Sequence, residues 1–129
     1  MAQRGTDPLT RRAKADILIE TTASQLRDML HQAVGELEPF PFFMDSLLFQ
    51  GVEAEPGGPA QAERGCVIVC PDGELYEYIY LMMVGPLYPE PFRKEEAKKL
   101  DLPPQDYIPY AYNALCQLTK LLLERQQPS

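Results

Sequence analysis

The stretch from Cys66 to Gly85, CVIVCPDGELYEYIYLMMVG, constrains the fold more than any other part of this chain. Its pattern is typical of a short apolar strand, a turn at Pro-Asp-Gly and a longer strand with tyrosine at every second position. Neither face of the longer strand is polar, whereas a sheet with one solvated face alternates apolar with charged residues. We therefore expect both faces of this sheet to be covered, by this chain or by another.

The turn predicts which side chains share a face. Pro-Asp-Gly favours a three-residue loop with Gly73 in the left-handed region, which pairs Cys70 with Glu74. Because side chains alternate along a strand, the three tyrosines should then lie on the face of Cys66, Ile68 and Cys70. The opposite face should carry Val67, Val69, Leu75, Glu77, Ile79 and Leu81. A two-residue Asp-Gly turn would exchange the two faces.

Helical patterns occupy both ends of the chain. Asp7 followed by Pro8 resembles an N-cap with proline at the first helical position. Residues 8–37 form either one helix or two with a break near Thr21-Thr22, where Thr22 and Gln25 could make a second capping box. Residues 107–125 predict an amphipathic C-terminal helix. The apolar stripe of the first segment comprises Leu26, Leu30, Ala33, Val34 and Leu37.

The middle of the chain completes an α+β fold. Residues 43–53 are rich in large apolar side chains and predict a first strand, residues 56–65 predict a loop, and 66–70 and 74–84 predict the hairpin strands. Six prolines between Pro86 and Pro109 exclude one long helix or a central strand there. We expect a proline-bounded connector with a short helix over 91–100. The predicted fold is an N-terminal helix, a three-stranded antiparallel meander, this connector and the C-terminal helix.

Length and charge narrow the class of protein. The 129 residues predict one domain, with a mobile basic arm at 1–8 and a polar tail at 126–129. The net charge is -7; residues 1–14 carry +3 and residues 15–77 carry -10. Nucleic-acid binding needs a basic face, so the acidic body argues against it. The absence of a membrane-length apolar run, of a secretory signal pattern and of an even cysteine count predicts a cytoplasmic protein.

Motifs for catalysis or cofactor binding are missing from the sequence. It has no nucleophile elbow, P-loop or dinucleotide fingerprint. Cys66 and Cys70 lie about 13 Å apart on an extended strand, which is too far for ligands that converge on one zinc ion. Adding Cys116 and His31 would make a Cys3His set, but nothing in the spacing requires it. We predict buried structural thiols, a histidine at the edge of the apolar stripe, and no cofactor.

One row of side chains is the candidate partner or ligand surface: Tyr76, Tyr78, Tyr80 and Met82. Tyrosine suits a half-wet surface, because its ring can be buried while its hydroxyl keeps a hydrogen bond. The row either packs under a segment of its own chain or binds a partner. Glu77 is the one carboxylate placed among aliphatic neighbours on a predicted strand, so burial could perturb its pKa.

In size and acidity the chain resembles the small dimeric chaperones of bacterial type III secretion, which have more strands than the three predicted here. The sequence therefore favours a non-enzymatic interaction protein, joined to a second chain through its tyrosine-bearing sheet face or a helix, as a homodimer, an adaptor or a chaperone-like subunit. The alternative is a ligand-binding or catalytic domain with a pocket lined by the Tyr76, Tyr78 and Tyr80 strand.

Overall fold

The computed structural model describes residues 7–44, 46, 48–56 and 66–126. It contains α1 (Pro8–Glu36), β1 (Val52–Glu53), β2 (Cys66–Val69), β3 (Leu75–Gly85), β4 (Tyr88–Lys99) and α2 (Pro104–Gln126). The strands form one antiparallel sheet in the order β1-β2-β3-β4. The predicted α+β class and antiparallel sheet are confirmed, but the sheet has four strands instead of three. Most of the predicted basic arm, loop and tail lies outside the described residues.

The first helix is continuous. The Asp7 side chain accepts a hydrogen bond from the Thr10 backbone N–H at 2.9 Å, and Pro8 occupies the first turn. This is the predicted cap, and it satisfies an N–H group that has no partner within the helix. The helix passes through Thr21 and Thr22 without a break, so the one-helix alternative is correct.

The hairpin register is as predicted. Cys66 lies opposite Tyr78 and Val69 lies opposite Leu75. The Cys70 N–H donates to the Glu74 carbonyl at 3.1 Å, and Gly73 has φ 82°. The left-handed glycine closes a three-residue loop, which places the tyrosines on the face of Ile68.

Both helices cover the leucine-bearing face of the sheet. Leu30 and Val34 of α1 and Ala111 and Leu118 of α2 belong to one buried cluster with the strand residues of that face. Leu30, Ala111 and Leu118 are each 0% exposed. The strand residues in this cluster are Val52, Val67, Val69 and Leu75.

A different segment covers the tyrosine face. Phe43 is buried against Ile68 and Tyr78, and Phe49 packs on the same cluster. Both phenylalanines belong to residues 40–51, which we call the lid; positions 45 and 47 of the lid are outside the described residues. The sheet around Ile68, Leu75 and Tyr78 is thus covered on one face by two helices and on the other by the lid. Farther along β3 the described residues do not supply the expected cover, because Tyr80 is 43% exposed and Leu81 is 47% exposed.

The prediction of a strand over residues 43–53 is wrong for most of its length. Of the described residues in this range, only Val52–Glu53 form a strand, and Phe42 and Gln50 form an isolated bridge. Met44 has φ 51°, in the left-handed region, and the Ser46 side chain accepts the N–H groups that follow it. This side-chain acceptor competes with ladder hydrogen bonds. The apolar side chains that suggested a strand serve instead as the lid's packing surface.

The prediction of a short helix over residues 91–100 is also wrong, because residues 91–99 belong to β4. The residues before Pro89 and Pro91 are restricted to extended conformations, and the charged stretch that follows is too short to be a stable helix alone. Leu100 donates to the Leu75 carbonyl at 2.9 Å. Successive residues of a strand direct their backbone N–H and C=O groups to opposite sides. Leu100 directs its N–H toward β3, so Pro91, nine residues earlier, directs its backbone toward the open edge of the sheet. Its missing N–H therefore costs no ladder hydrogen bond.

The C-terminal helix starts three residues before the predicted position. The Asp106 and Tyr107 N–H groups both donate to the Pro103 carbonyl at 2.9 Å. Pro104 begins the helix, where a missing N–H is tolerated. Neither α1 nor α2 has the length and apolar character needed to cross a bilayer.

Candidate interaction surfaces

Tyr78 is the central residue of the tyrosine row, and it is buried. Only 5% of its surface is exposed. Phe43 meets its ring edge-on with centroids 5.0 Å apart, and Phe49 does so at 5.9 Å. Such edge-to-face pairs add roughly 0.5–1.5 kcal/mol beyond area burial. The middle of the row is therefore packed under its own chain.

A carboxylate connects Tyr78 to the lid. Glu95 Oε1 accepts the Tyr78 hydroxyl at 2.8 Å, and Glu95 Oε2 accepts the Ser46 hydroxyl at 3.0 Å. Ser46 is 2% exposed, and its Oγ also accepts the N–H groups of Leu48 at 3.1 Å and Phe49 at 2.9 Å. The Ser46–Glu95 hydrogen bond holds the lid to β4. The sequence prediction missed Ser46 and Glu95, because one was assigned to a strand and the other to a helix.

Three large apolar side chains are exposed among the described residues of the lid. Met44 is 77% exposed and Leu48 is 74% exposed, and they flank the buried Ser46. Phe42 is 52% exposed. We call these three side chains the lid surface. They are held out to solvent by a segment whose backbone is hydrogen-bonded, with Phe43 N–H donating to the Phe49 carbonyl at 2.9 Å.

The flanking tyrosines reach the surface. The Tyr76 hydroxyl donates to Asp72 Oδ2 at 2.6 Å, and this bond, together with partial burial and the charge of Asp72, raises the pKa of Tyr76 to about 12. Tyr80 is 43% exposed. The backbone of Met82 pairs with Arg93, but its side chain is not among those described. The structure therefore divides the predicted row into a buried centre and two outer tyrosines.

Glu77 lies on the helix-covered face of β3 and is half-buried. Its neighbours in the ladder are Val67 on β2 and Lys98 on β4. The opposite charge on the adjacent strand suits a carboxylate at this position.

The hairpin turn is held to α1 by a hydrogen bond between His31 and Glu74. His31 Nε2 and Glu74 Oε2 are 2.7 Å apart. His31 therefore contacts the turn from the edge of the α1 stripe, as a boundary residue would.

The three cysteines differ in environment. Cys66 and Cys70 are half-buried and Cys116 is exposed. Desolvation raises the pKa of Cys66 to about 11 and that of Cys70 to about 12, with Glu53 and Asp72 adding negative charge nearby. Thiols with such pKa values are poor nucleophiles at neutral pH. Across the described residues, no group of three or more His, Cys, Asp or Glu side chains could hold a metal ion.

A shallow groove lies between α1 and the start of α2. Arg27 Cζ is 4.8 Å from the ring centroid of Tyr107, an attractive cation–π distance. The Tyr107 hydroxyl is buried without a hydrogen-bond partner among the described residues, and burial raises its pKa. The groove has a volume of about 250 Å³ and is also lined by Glu20, Ser24 and Asp101. Because the hydroxyl is buried, a molecule in the groove could not reach it without movement of the protein.

The N-terminal part of α1 has little tertiary cover. Every residue from Asp7 to Leu18 is exposed, and Ile19 is the first half-buried one. The exposed large apolar side chains of this helix are Leu9 at 83%, Ile17 at 62%, Leu18 at 64% and Met29 at 49%. A comparison of the chain with protein-family models, with curated proteins and with solved structures found no significant match.

Proposed function

We propose that this protein is a non-catalytic interaction subunit that works in an assembly of chains. The supporting observation is that large apolar side chains stand exposed on elements that are themselves fixed to the core. On the lid, Met44 and Leu48 lie on either side of a buried, hydrogen-bonded serine. Exposed apolar groups on a rigid element lose little conformational entropy when a partner covers them, so such surfaces suit protein–protein contact.

The assembled state is the direct test. Size-exclusion chromatography with light scattering, run from micromolar to millimolar protein, should give a mass above the 14.6 kDa of one chain. A mass of one chain at every concentration would remove the self-association version of the proposal. An adaptor that binds only a different protein would then be the version left.

A double substitution in the lid surface tests whether this surface belongs to the contact between chains. Met44→Ser combined with Leu48→Ser removes two exposed side chains and leaves Ser46 and the phenylalanines in place. A fall in the assembled fraction would place the lid surface in the contact. Leu87→Ser is the control, because Leu87 is 86% exposed and lies on the turn between β3 and β4.

The alternative function, ligand binding in a pocket on the tyrosine strand, has weaker support. Phe43 and Phe49 fill the space over Tyr78. The three surface grooves described lie beside α2, and none of them is lined by Tyr76, Tyr78 or Tyr80. A thermal-shift screen against metabolites and metal ions tests this alternative, and a clear shift with one compound class would favour it over assembly alone.

A further inference from the structure

The flank of α1 carries a stripe of eight side chains that points away from the core. Its members recur at alternating spacings of four and three residues, the repeat of a helix that packs along another helix. Seven of them are exposed and Thr22 is half-buried. The stripe, in chain order, is Arg11, Ala15, Leu18, Thr22, Gln25, Met29, Gln32 and Glu36.

This stripe is complementary to itself when read in the opposite direction. In an antiparallel pair centred between Ala23 and Ser24, each member meets a suitable member of the second copy. Arg11 would meet Glu36, and Leu18 would meet Met29. The remaining pairs are Ala15 with Gln32 and Thr22 with Gln25. The stripe thus has opposite charges at its ends, an apolar Leu18–Met29 pair inside them and a polar Thr22–Gln25 pair at its centre.

Charge disfavours the parallel arrangement of the same two helices. In a parallel pair Arg11 would face Arg11 and Glu36 would face Glu36, and like charges at facing positions are destabilising. The antiparallel arrangement replaces both repulsions with attractions. Among the described residues, neither Arg11 nor Glu36 has a salt-bridge partner in its own chain.

We propose that a second copy of this chain docks on the α1 flank, forming an antiparallel α1–α1 contact with twofold symmetry. This proposal rests on the proposed assembly function and names the partner and the surface. The contact would cover Leu18 and Met29, which are 64% and 49% exposed in the single chain. It would also support the turns before Ile19, which α2 and the sheet leave exposed.

Charge reversal tests the contact without disturbing the fold. Arg11 and Glu36 are separated by 25 residues of one helix, or about 37 Å, so they cannot interact within a chain. Arg11→Glu or Glu36→Arg alone would create two repulsive pairs in the dimer, and we expect the dissociation constant to rise roughly tenfold. The double variant R11E/E36R should restore wild-type affinity, and so should a mixture of the two single variants.

The apolar part of the stripe has a matched control. Leu18→Ser should weaken the dimer, whereas Ile17→Ser, at a neighbouring position that is 62% exposed but off the stripe, should leave it unchanged. Sedimentation velocity gives the dissociation constants, and circular dichroism checks that each variant is folded. A wild-type dimer that is insensitive to charge reversal and to Leu18→Ser would overturn the α1 contact but keep the assembly function. A wild-type chain that stays monomeric up to millimolar concentration would overturn the α1 contact and the self-association version of the proposed function, and would leave only the adaptor version.

Discussion

Single side chains decide how the tyrosine face is closed. Ser46 has three roles at once, because its hydroxyl donates to Glu95 and accepts from two backbone N–H groups. At 2% exposure, water cannot replace these bonds. A buried polar group of this kind costs little when it is fully paired and much when a partner is removed.

Replacing Ser46 should therefore loosen the lid. We expect Ser46→Ala to lower the free energy of unfolding by about 2 kcal/mol, because it removes three part-buried hydrogen bonds, one to Glu95 and two from the Leu48 and Phe49 N–H groups. Urea unfolding measures the change. The control is Ser24→Ala on the exposed side of α1, which should be neutral or slightly stabilising. Equal effects of the two substitutions would contradict the role given to Ser46.

Two glycines should respond oppositely to alanine. Gly73 has φ 82°, and a Cβ there would lie 3.1 Å from the His31 Cα atom, so Gly73→Ala should destabilise the protein by about 1–2 kcal/mol. Gly35 lies in the last turn of α1, where an added Cβ would meet no neighbouring group within 4 Å, so Gly35→Ala should stabilise the protein by about 0.5 kcal/mol. Thermal unfolding of both variants checks the signs, and a gain at position 73 would refute the turn geometry.

Thiol titration should separate the cysteines. At pH 8 the exposed Cys116 should react quickly with a disulfide reagent, and Cys66 and Cys70 slowly. Their pKa values of about 11 and 12 keep them protonated, and both are half-buried. Raising the pH toward those values should accelerate the slow phase. Cys116→Ser should remove the fast phase only; its persistence in that variant would contradict the assignment.

At the scale of elements, the sequence predicted what local chemistry determines. The Asp7 cap, the Gly73 turn and the hairpin register follow from neighbouring residues, and all three are confirmed. The wrong elements are those where tertiary context overrides local propensity. The charged stretch of β4 favours a helix by composition, yet it pairs with β3 along nearly its whole length.

For the candidate site too, the sequence predicted the locally determined features and missed the long-range contacts. The alternation of Tyr76, Tyr78 and Tyr80 correctly predicted their shared face, because side-chain period is a local property. Which of them would be buried depended on where residues 40–51 fold back, and that contact spans distant parts of the chain. No pattern near Ser46 or Glu95 predicts that they meet.

The packing of α2 gives a prediction about elements. Leu118 is 0% exposed in the helix-side core, whereas Leu123 near the end of the same helix is 55% exposed. Leu118→Ala should cost about 3 kcal/mol through lost burial and a residual cavity, and Leu123→Ala less than about 0.5 kcal/mol. Chemical denaturation of the pair measures the contrast, and similar losses would show that α2 docks differently.

For the whole molecule, one sheet joins two packed layers. The helix-side cluster contains Val69 and Leu75, and the lid-side cluster contains Ile68 and Tyr78, from the same two strands. If either layer were removed, an apolar face of β2 and β3 would be exposed to water. The remaining layer packs on the same two strands, so it would lose its support as well. This coupling should make the described body unfold as one unit.

Unfolding should accordingly be a single transition. Far-UV circular dichroism follows the helices, and tyrosine fluorescence includes Tyr78 under the lid; the chain has no tryptophan to mask it. We expect both probes to give the same urea midpoint, and Leu118→Ala to move both midpoints together. A tyrosine transition that precedes the loss of helix would show that the lid opens independently.

The hydrogen bond between Ser46 and Glu95 joins positions 49 residues apart. During synthesis the lid and β3 leave the ribosome before Glu95 does. The lid phenylalanines can then contact the tyrosine rings of β3 before the hydrogen bond that holds the lid in place can form. Chains that are released or stalled before Glu95 would expose an apolar surface with a lid that is not hydrogen-bonded to β4. Chaperones and proteases recognise partly folded states of this kind. Because β4 is synthesised after the lid and β3, completion of β4 is the step that fixes the lid over the tyrosine face of the nascent chain.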